Sequence, residues 1–234
     1  MALVGHVVRR SPFWPSGHAR LAPRRSRLFL DRIPRTLAVI GAGVVGCEYA
    51  SIFAALGVKV TLLDTRSNIL DFLDDETKQR LLYRMLNAGV VMHFGEEVTA
   101  VTVVDPDRIE SHCASGKVVT AERVLYAAGR VGNTDHLGSQ HVGLVTDKRG
   151  LLNVNEHFQT SLPHIYAVGD VIGFPALAAT AMHQGRLASA HAFGNDDGHV
   201  NGQIPMTPLA PLPFGIYTIP EVSMAGATEE ELTK

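Results

Sequence analysis

One segment of the chain contains, in order, a strand, a glycine-rich turn, a helix and a second strand. The apolar run 37–40 leads into Gly-Ala-Gly-Val-Val-Gly at 41–46, which has the G-x-G-x-x-G spacing. Apolar residues at helical intervals predict a helix over 44–56, and the run 58–63 predicts a strand that ends at Asp64. Short apolar strands of this kind are typical of a parallel sheet covered on both faces. The pattern predicts an α/β fold with a Rossmann-like β-α-β unit.

The three glycines of the turn each meet a different requirement of dinucleotide binding. Gly41 permits the tight turn out of the strand, Gly43 lets the backbone approach a pyrophosphate, and Gly46 allows close packing of helix on strand. The pyrophosphate would accept hydrogen bonds from N–H groups at the positive end of the helix dipole. The alternative is a glycine turn with a purely structural role. The strand before the turn, the helix after it and the acid at the next strand end favour the dinucleotide site.

The residues at the end of the second strand bear on which nicotinamide dinucleotide binds. An acid there, in this chain Asp64, accepts a hydrogen bond from the adenosine ribose 2′-hydroxyl of NAD, whereas a nearby arginine, in this chain Arg66, neutralises the 2′-phosphate of NADP. Asp64 alone would repel that phosphate, and a site for NAD only has no need of Arg66. Two interpretations stay open: Arg66 is a solvated loop residue, or the site accepts both NAD and NADP.

The following part of the chain predicts the remainder of this domain. A helix over 74–88 begins with three acids, and a third strand is expected over 90–92. Short alternating runs with turn signals predict a small antiparallel meander over 96–120, and a further buried strand is expected over 124–128.

Composition excludes several other classes of protein. The formal net charge is −2, so whole-chain charge gives no reason to expect nucleic acid or a membrane as partner. No apolar run approaches the roughly 18 residues that cross a bilayer. The two cysteines, Cys47 and Cys113, are too few and too far apart for a disulfide-rich scaffold. The histidines show no zinc-ligand spacing, so no metal site is predicted. Cytoplasmic residence is the default expectation.

The N-terminal segment differs in composition from the rest. Residues 1–35 hold eight arginines, no lysine and one acid. Such a segment is typical of an organellar transit peptide or a disordered basic arm, or it comes from a mis-started reading frame. Pro12, Pro15 and Pro23 interrupt any continuous amphipathic helix and disfavour the transit peptide. The favoured interpretation is that residues 1–34 are disordered or mis-started.

Four stretches follow one another along the chain in an order that points to a known family. They are Gly-Ala-Gly-Val-Val-Gly-Cys-Glu at 41–48, Ala-Ala-Gly-Arg-Val-Gly-Asn-Thr at 127–134, Ile-Tyr-Ala-Val-Gly-Asp at 165–170 and Ile-Tyr-Thr-Ile-Pro-Glu at 216–221. Together they resemble the pyridine nucleotide-disulfide oxidoreductases, a family of flavoproteins that bind FAD and NAD(P). In that family the first stretch binds NAD(P), the second closes the NAD(P) domain, the third holds FAD and the fourth opens a dimer-interface domain.

The resemblance divides the chain into domains and adds FAD to the expected cofactors NAD and NADP. It implies an NAD(P)-binding domain over 35–150, the C-terminal part of an FAD-binding domain over 151–213 and the start of a dimer-interface domain over 214–234. Family members begin with an FAD-binding β-α-β unit that residues 1–34 do not contain. The chain therefore resembles a truncated fragment of a protein whose intact relatives are homodimers.

The resemblance also implies roles for residues in the second and third stretches. Gly129 and Arg130 belong to the stretch that closes the NAD(P) domain. Gly169 and Asp170 belong to the FAD-binding stretch, where Asp170 would accept hydrogen bonds from hydroxyls of the ribityl chain. The same aspartate is also suited to cap the helix that follows.

Two further residues receive roles from the resemblance. A helix expected over 175–194, which includes Ala178, would direct its N-terminus at the flavin and favour negative charge there. Glu48, implied to be catalytic, would lie near the contact between flavin and nicotinamide. As an isolated residue, Glu48 is equally suited to complement a helix N-terminus.

Within the family, the stretches at 46–53, 129–135 and 169–175 are most similar to the Si-specific transhydrogenase branch. Gly132, at a position where other relatives have proline, also fits that branch. This implies an oxidoreductase that transfers hydride between NADPH and NAD through FAD. Two alternatives stay open. One is a flavoprotein of the dihydrolipoamide dehydrogenase type, whose dithiol would lie upstream of this chain. The other is a non-catalytic remnant that binds NAD(P).

Overall fold

The computed structural model describes residues 2–3, 6–8, 30, 32–193 and 213–233. The strands are β1 (Ala2–Leu3), β2 (His6–Val8), β3 (Thr36–Ile40), β4 (Lys59–Asp64), β5 (Val91–Phe94), β6 (Val98–Asp105), β7 (Arg108–Cys113), β8 (Val118–Ala121), β9 (Arg123–Tyr126), β10 (Arg130–Gly132), β11 (Tyr166–Ala167), β12 (Phe214–Ile216) and β13 (Val222–Met224). The α-helices are α1 (Val44–Ala55), α2 (Asp75–Asn87), α3 (Ala178–Ala192) and α4 (Glu229–Leu232), and 3-10 helices lie at Ser139–Val142 and Gly169–Ile172.

The chain divides into two compact units. The first unit consists of residues 10–129 and 215–234, and the second unit consists of residues 1–9 and 130–214. The N-terminal residues 1–9 therefore belong to the second unit and the C-terminal residues 215–234 to the first, an arrangement that the predicted sequential domains do not include. The domain boundaries at 35–150, 151–213 and 214–234 stay predictions.

The first unit is built on a four-stranded parallel sheet with the strand order β5-β4-β3-β9. Parallel neighbours need a crossover connection, and α1 supplies it between β3 and β4 while α2 supplies it between β4 and β5. The β-α-β unit and the mixed α/β class predicted from the sequence are therefore confirmed. The antiparallel meander is confirmed as well, with the order β6-β7-β8.

Different elements cover the two faces of the parallel sheet. Ala38 and Ile40 of β3 share a buried cluster with Ile109 of β7, so the meander packs on their face. Successive side chains of a strand point to opposite faces, and Val39 accordingly faces α1, where a Cβ on Gly46 would lie 3.5 Å from its Cγ1. Burial on both faces explains why β3 is apolar throughout.

Helix ends in the first unit follow the residues that the sequence places there. Helix α1 ends at Ala55, and Gly57 follows it with φ +82°, a backbone conformation that favours glycine. Asp74 caps α2, because its side chain accepts a hydrogen bond from the Glu76 amide at 3.2 Å. The predicted bounds of both helices differ from the observed ones only at their capping residues.

The second unit contains two short strand pairs, a small core and α3. Strand β1 pairs in parallel with β11, and β2 pairs antiparallel with β10. The core consists of apolar side chains from loops, β11 and a 3-10 helix: Leu144, Leu152, Ile165, Ala167 and Val171. Helix α3 begins at Ala178 and not at 175, because Leu177 has extended backbone and forms the N-cap. The predicted helix end at 194 lies outside the described residues.

Most of the basic N-terminal segment lies outside the described residues. Its described parts include β1 and β2, whose backbones pair with β11 and β10. The interpretation of residues 1–34 as disordered or mis-started stays a prediction. Arg32 and the adjoining Arg35 both bind Glu122, and the Arg35 Nε–Glu122 Oε1 distance is 2.6 Å.

Candidate functional site

The glycine turn between β3 and α1 is closed around two of its glycines and open at the third. Gly41 has φ +107°, and a Cβ there would lie 2.5 Å from the Ala127 carbonyl oxygen. A Cβ on Gly46 would overlap the Gly41 carbonyl oxygen. Gly43 has open space around it, since the nearest atom to a Cβ placed there is Arg66 Nη2 at 4.0 Å. The turn therefore packs tightly against the sheet but leaves room for a ligand at Gly43.

Helix α1 begins directly after this opening, with Gly43 as its N-cap residue. Gly43 has no side chain that could cap this helix end, and the first turn of α1 contains no acid. The N–H groups of a first helical turn have no acceptor within the helix, and they are suited to bind an anion. An open glycine turn and an uncapped helix end at the same place fit the diphosphate of a dinucleotide.

Asp64, at the end of β4, is bound by four hydrogen-bond donors. Its Oδ2 accepts the Ala42 amide at 2.5 Å and Arg66 Nη2 at 2.8 Å. Its Oδ1 accepts the Arg66 amide at 2.8 Å and Arg66 Nε at 3.0 Å. The carboxylate thus ties the glycine turn to the loop after β4. The sequence predicted that both residues bear on cofactor choice, but it did not predict that they bind each other.

The charges of this pair reinforce each other. Burial acts to raise the pKa of Asp64, but the hydrogen bonds from the Arg66 side chain, the Arg66 amide and the Ala42 amide outweigh it and hold that pKa below its ordinary value. The hydrogen bond to Asp64 raises the pKa of Arg66. Asp64 is therefore an ionised acceptor, and Arg66 is a fixed cation beside the opening at Gly43.

Glu48 lies on α1 and binds a segment that is distant in sequence. Its Oε1 accepts a hydrogen bond from the Tyr217 amide at 2.9 Å. One turn further along the helix, Ser51 Oγ accepts the Ile219 amide at 3.0 Å. Together the two side chains fix the segment between β12 and β13 along α1. No local sequence signal could have predicted these contacts, because their partners are separated by well over a hundred residues.

The second unit holds the other predicted site residues. Arg130 Nη1 lies 3.3 Å from Asp170 Oδ2, so these two predicted residues form an ion pair. Gly169 donates its N–H to Gln184 Oε1 at 2.7 Å, a buried contact that joins the 3-10 helix to α3. Gln184 was not predicted, since a glutamine within a helix carries no sequence signal. Ala178 is the first residue of α3.

The predicted site residues are thus divided between the units. The first unit holds Gly41, Gly43, Gly46, Glu48, Asp64, Arg66 and Gly129, and the second holds Arg130, Gly169, Asp170 and Ala178. Gly129 follows β9 with φ +109°. Over the described ranges, no helix is long and apolar enough to cross a bilayer, and no group of three or more His, Cys, Asp or Glu side chains could hold a metal ion.

Both cysteines are free thiols in buried positions. Cys47 Sγ lies 3.4 Å from the Ala42 carbonyl oxygen, and burial raises its pKa to about 12. Burial also raises the pKa of Cys113. A thiol with a raised pKa is a poor nucleophile at neutral pH, and buried Cys47 therefore serves as a small packed side chain.

Comparison with known proteins identifies the family. Residues 16–185 match the family described as pyridine nucleotide-disulphide oxidoreductase. The chain belongs to this family. The match begins at residue 16, so it includes part of the basic N-terminal segment.

Among curated members of the family, two relatives carry the same name. The chain is 51% identical over 228 residues to the soluble pyridine nucleotide transhydrogenase of Mycobacterium bovis and 49% identical over 227 residues to that of Serratia proteamaculans. Each comparison covers 95% of this chain and 47% of the relative. The chain therefore spans about half the length of the curated relatives it matches.

Two solved structures of the family resemble the chain in fold. LpdA from Mycobacterium tuberculosis superposes with a TM-score of 0.81 at 27% identity, covering 99% of this chain and 49% of LpdA. The HOCl-induced flavoprotein disulfide reductase RclA from Escherichia coli gives a TM-score of 0.83 at 23% identity, covering 99% of this chain and 52% of RclA.

Proposed function

We propose that the first unit binds NAD and NADP at the glycine turn, with the diphosphate at Gly43 and the adenosine ribose beside Asp64 and Arg66. The observation that carries this proposal is the juxtaposition at one opening of an uncapped helix end, an ionised acid and an arginine. The helix end supplies N–H donors to the diphosphate. Asp64 is the acceptor for a ribose hydroxyl, and Arg66 is the cation for a 2′-phosphate.

We further propose that the whole protein transfers hydride between NADPH and NAD, with the Si-specific stereochemistry of the transhydrogenase branch. The support for this is the name of the relatives to which the chain is about half identical, together with a site that offers partners for both dinucleotides. When bound, FAD supplies a ring that accepts hydride and returns it. A homodimer and a cytoplasmic location stay predictions.

For FAD, we propose Gly169, Asp170 and the start of α3 at Ala178 as the contribution of this chain. Asp170 carries an acceptor that suits sugar-like hydroxyls, and its ion pair with Arg130 fixes its orientation. Leu177 has no polar side chain that could cap α3, so its side chain does not compete with a polar ring edge for the N–H groups at Ala178. The stretch that holds Gly129 and Arg130 links the two sets of site residues in sequence.

Glu48 is proposed to act through the segment that it holds. Its hydrogen bond to the Tyr217 amide keeps residues 217–219 against α1, whose N-terminus follows the glycine turn. Glu48→Gln retains an acceptor oxygen and should leave dinucleotide binding unchanged, whereas Glu48→Ala frees the segment. Protection of the Tyr217 amide from hydrogen exchange is the readout for this positioning role.

The test of the dinucleotide site is calorimetric titration of the purified chain with NAD and with NADP. Arg66→Ala should weaken NADP binding by about 10- to 100-fold, because a charge-assisted hydrogen bond of about 1.5–3 kcal/mol is lost. It should not weaken NAD binding. Arg80→Ala is the matched control, since Arg80 pairs with Glu76 on the exposed side of α2.

The outcomes separate the transhydrogenase from a remnant that only binds NAD(P). Binding of neither dinucleotide to the folded chain overturns the site, and an equal loss for both in Arg66→Ala overturns the argument for two cofactors. A purified chain that binds NAD(P) but carries no flavin absorbance supports a nucleotide-binding module without hydride transfer. Flavin absorbance together with exchange of hydride between NADPH and NAD supports the transhydrogenase.

A further inference from the structure

Asp64 has its full complement of hydrogen bonds before any ligand binds. A carboxylate offers about four lone-pair positions, and the Ala42 amide together with three donors of Arg66 fill them. A ribose hydroxyl that binds Asp64 must therefore displace at least one of these donors. The Ala42 amide is part of the packed glycine turn, so the donor that can leave is the half-exposed side chain of Arg66.

Arg66 has a second acidic neighbour outside this pair. Its Nη1 lies 3.5 Å from Asp71 Oδ2, and the side chain of Asp71 is well exposed. The guanidinium thus lies between two carboxylates, one buried and one at the surface. When it leaves Asp64, Asp71 is the acceptor already within reach.

The loop that carries Asp71 is held in place by its own buried residues. Ile69 and Leu70 are fully buried, and Leu70 adopts φ +45°, a left-handed conformation that costs a residue with a side chain about 1–2 kcal/mol. Such a conformation persists only where its surroundings enforce it. The Leu70 carbonyl accepts the Leu73 amide at 2.9 Å, which closes the turn around Asp71. The position of Asp71 beside Arg66 is therefore built into the loop.

We propose that Asp71 is a specificity-determining residue that allows a site containing Arg66 to accept NAD. The inference rests on the dinucleotide site proposed above. NAD requires Arg66 to leave Asp64, and Asp71 stabilises the arginine in that displaced position. NADP brings its own partner for Arg66 in the 2′-phosphate, and the negative charge of Asp71 opposes that phosphate. Asp71 thus favours NAD in two ways, because it stabilises the displaced arginine and opposes the 2′-phosphate of NADP.

Asp71→Asn tests this inference in the purified chain, by calorimetric titration with NAD and NADP separately. NAD binding should weaken by about threefold to fivefold, the value of an exposed ion pair. NADP binding should tighten by about twofold to fivefold, because one unit of nearby negative charge is gone. The tightening should shrink at high salt, where the Debye length is only about 3 Å in ~1 M salt.

Introducing Asp71→Asn into the Arg66→Ala variant tests whether Asp71 acts through the arginine. There, Asp71→Asn should no longer change NAD binding, since no arginine has to be accommodated. Asp71→Glu, which restores the charge, should keep the affinity ratio close to that of the unchanged chain. Asp105→Asn is the matched control, because it removes one negative charge from the first unit, and its amide oxygen can still accept the Asp107 amide.

The failure of this inference is distinguishable from the failure of the proposed site. If the unchanged chain binds both dinucleotides but Asp71→Asn leaves their affinity ratio within about twofold, the role of Asp71 is overturned and the site stands. A loss of NAD binding that persists in the Arg66→Ala background also overturns it. If the unchanged chain binds neither dinucleotide, the site itself fails.

Discussion

The Asp64 carboxylate allows a quantitative test of how the glycine turn is held. Asp64→Asn keeps the shape of the side chain but removes its charge and turns one acceptor oxygen into an NH₂ group. In either orientation of the amide, that group faces two N–H donors that lose their acceptor, and at least one of them belongs to Arg66. The side chain of Asp64 is only 6% exposed, so water cannot replace the lost bonds on that side.

The magnitude follows from the number and kind of bonds lost. Two charge-assisted hydrogen bonds at about 1.5–3 kcal/mol each set an upper range of about 3–6 kcal/mol. Arg66 is half-exposed and recovers part of this by turning to solvent, so the expected loss in free energy of unfolding is about 3 kcal/mol. Asp71→Asn, at the exposed end of the same arginine, should cost less than about 1 kcal/mol.

The loss should also depend on pH. The pKa of Asp64 is held below its ordinary value, so its contribution to stability is present above the unfolded pKa of about 3.9 and disappears as pH falls towards the folded pKa. The difference between the unchanged chain and Asp64→Asn should be constant near neutral pH and should shrink below about pH 4.

Urea denaturation followed by far-UV circular dichroism measures both quantities, with the midpoint and the slope determined for each variant. A loss below about 1 kcal/mol at pH 7 would refute the reasoning, because it would mean that the four bonds are not made together in solution. A difference that stays the same at acid pH would contradict the assignment of the charge to Asp64.

Three further predictions concern packing and reactivity. Gly46→Ala should lower the free energy of unfolding by about 3 kcal/mol in thermal denaturation, because its Cβ would overlap the turn. The control is Gly185→Ala on α3, which should be neutral or slightly stabilising because a Cβ there meets nothing within 4 Å. Gly132→Pro should lower the melting temperature, since the Gly132 amide donates to the Arg149 carbonyl at 2.7 Å and proline has no N–H; an unchanged melting temperature would contradict this. Cys47, with its pKa of about 12, should react with a thiol-specific disulfide reagent no faster than the chain unfolds, and rapid reaction in the native state would contradict its burial.

The elements of the first unit could be predicted because their signals are local. The β-α-β unit, α2 and the meander are each specified by periodicity, glycines and acids within a few residues of one another. The bounds of α1 and α2 were correct to within their caps for the same reason. The predicted start of the helix in the second unit was three residues early, because the backbone of Leu177 stays extended and nothing in its side chain indicates that.

Contacts between distant parts of the chain could not be predicted. The hydrogen bond from the Tyr217 amide to Glu48 and the pairing of β1 with β11 join segments that share no sequence pattern. The glycine at position 132 has a structural reason of the same kind. A Cβ there would overlap the Gly150 carbonyl oxygen, and the amide is needed as a donor, so a side chain and a proline are both disfavoured.

The interpretation of Arg66 shows why residue types alone do not determine the specificity of this site. From the sequence, Arg66 was expected either to be solvated or to bind a 2′-phosphate, and Asp64 was expected to be a separate acceptor. In the structure each satisfies the other, so neither is free to bind a ligand without a cost to the pair. Cofactor choice then depends on which partner compensates Arg66 when it moves, the phosphate of NADP or the carboxylate of Asp71. Specificity at this site is therefore a competition among carboxylates and phosphate for a single guanidinium, and a change at the exposed Asp71 should alter it without any change in the residues that would contact the dinucleotide.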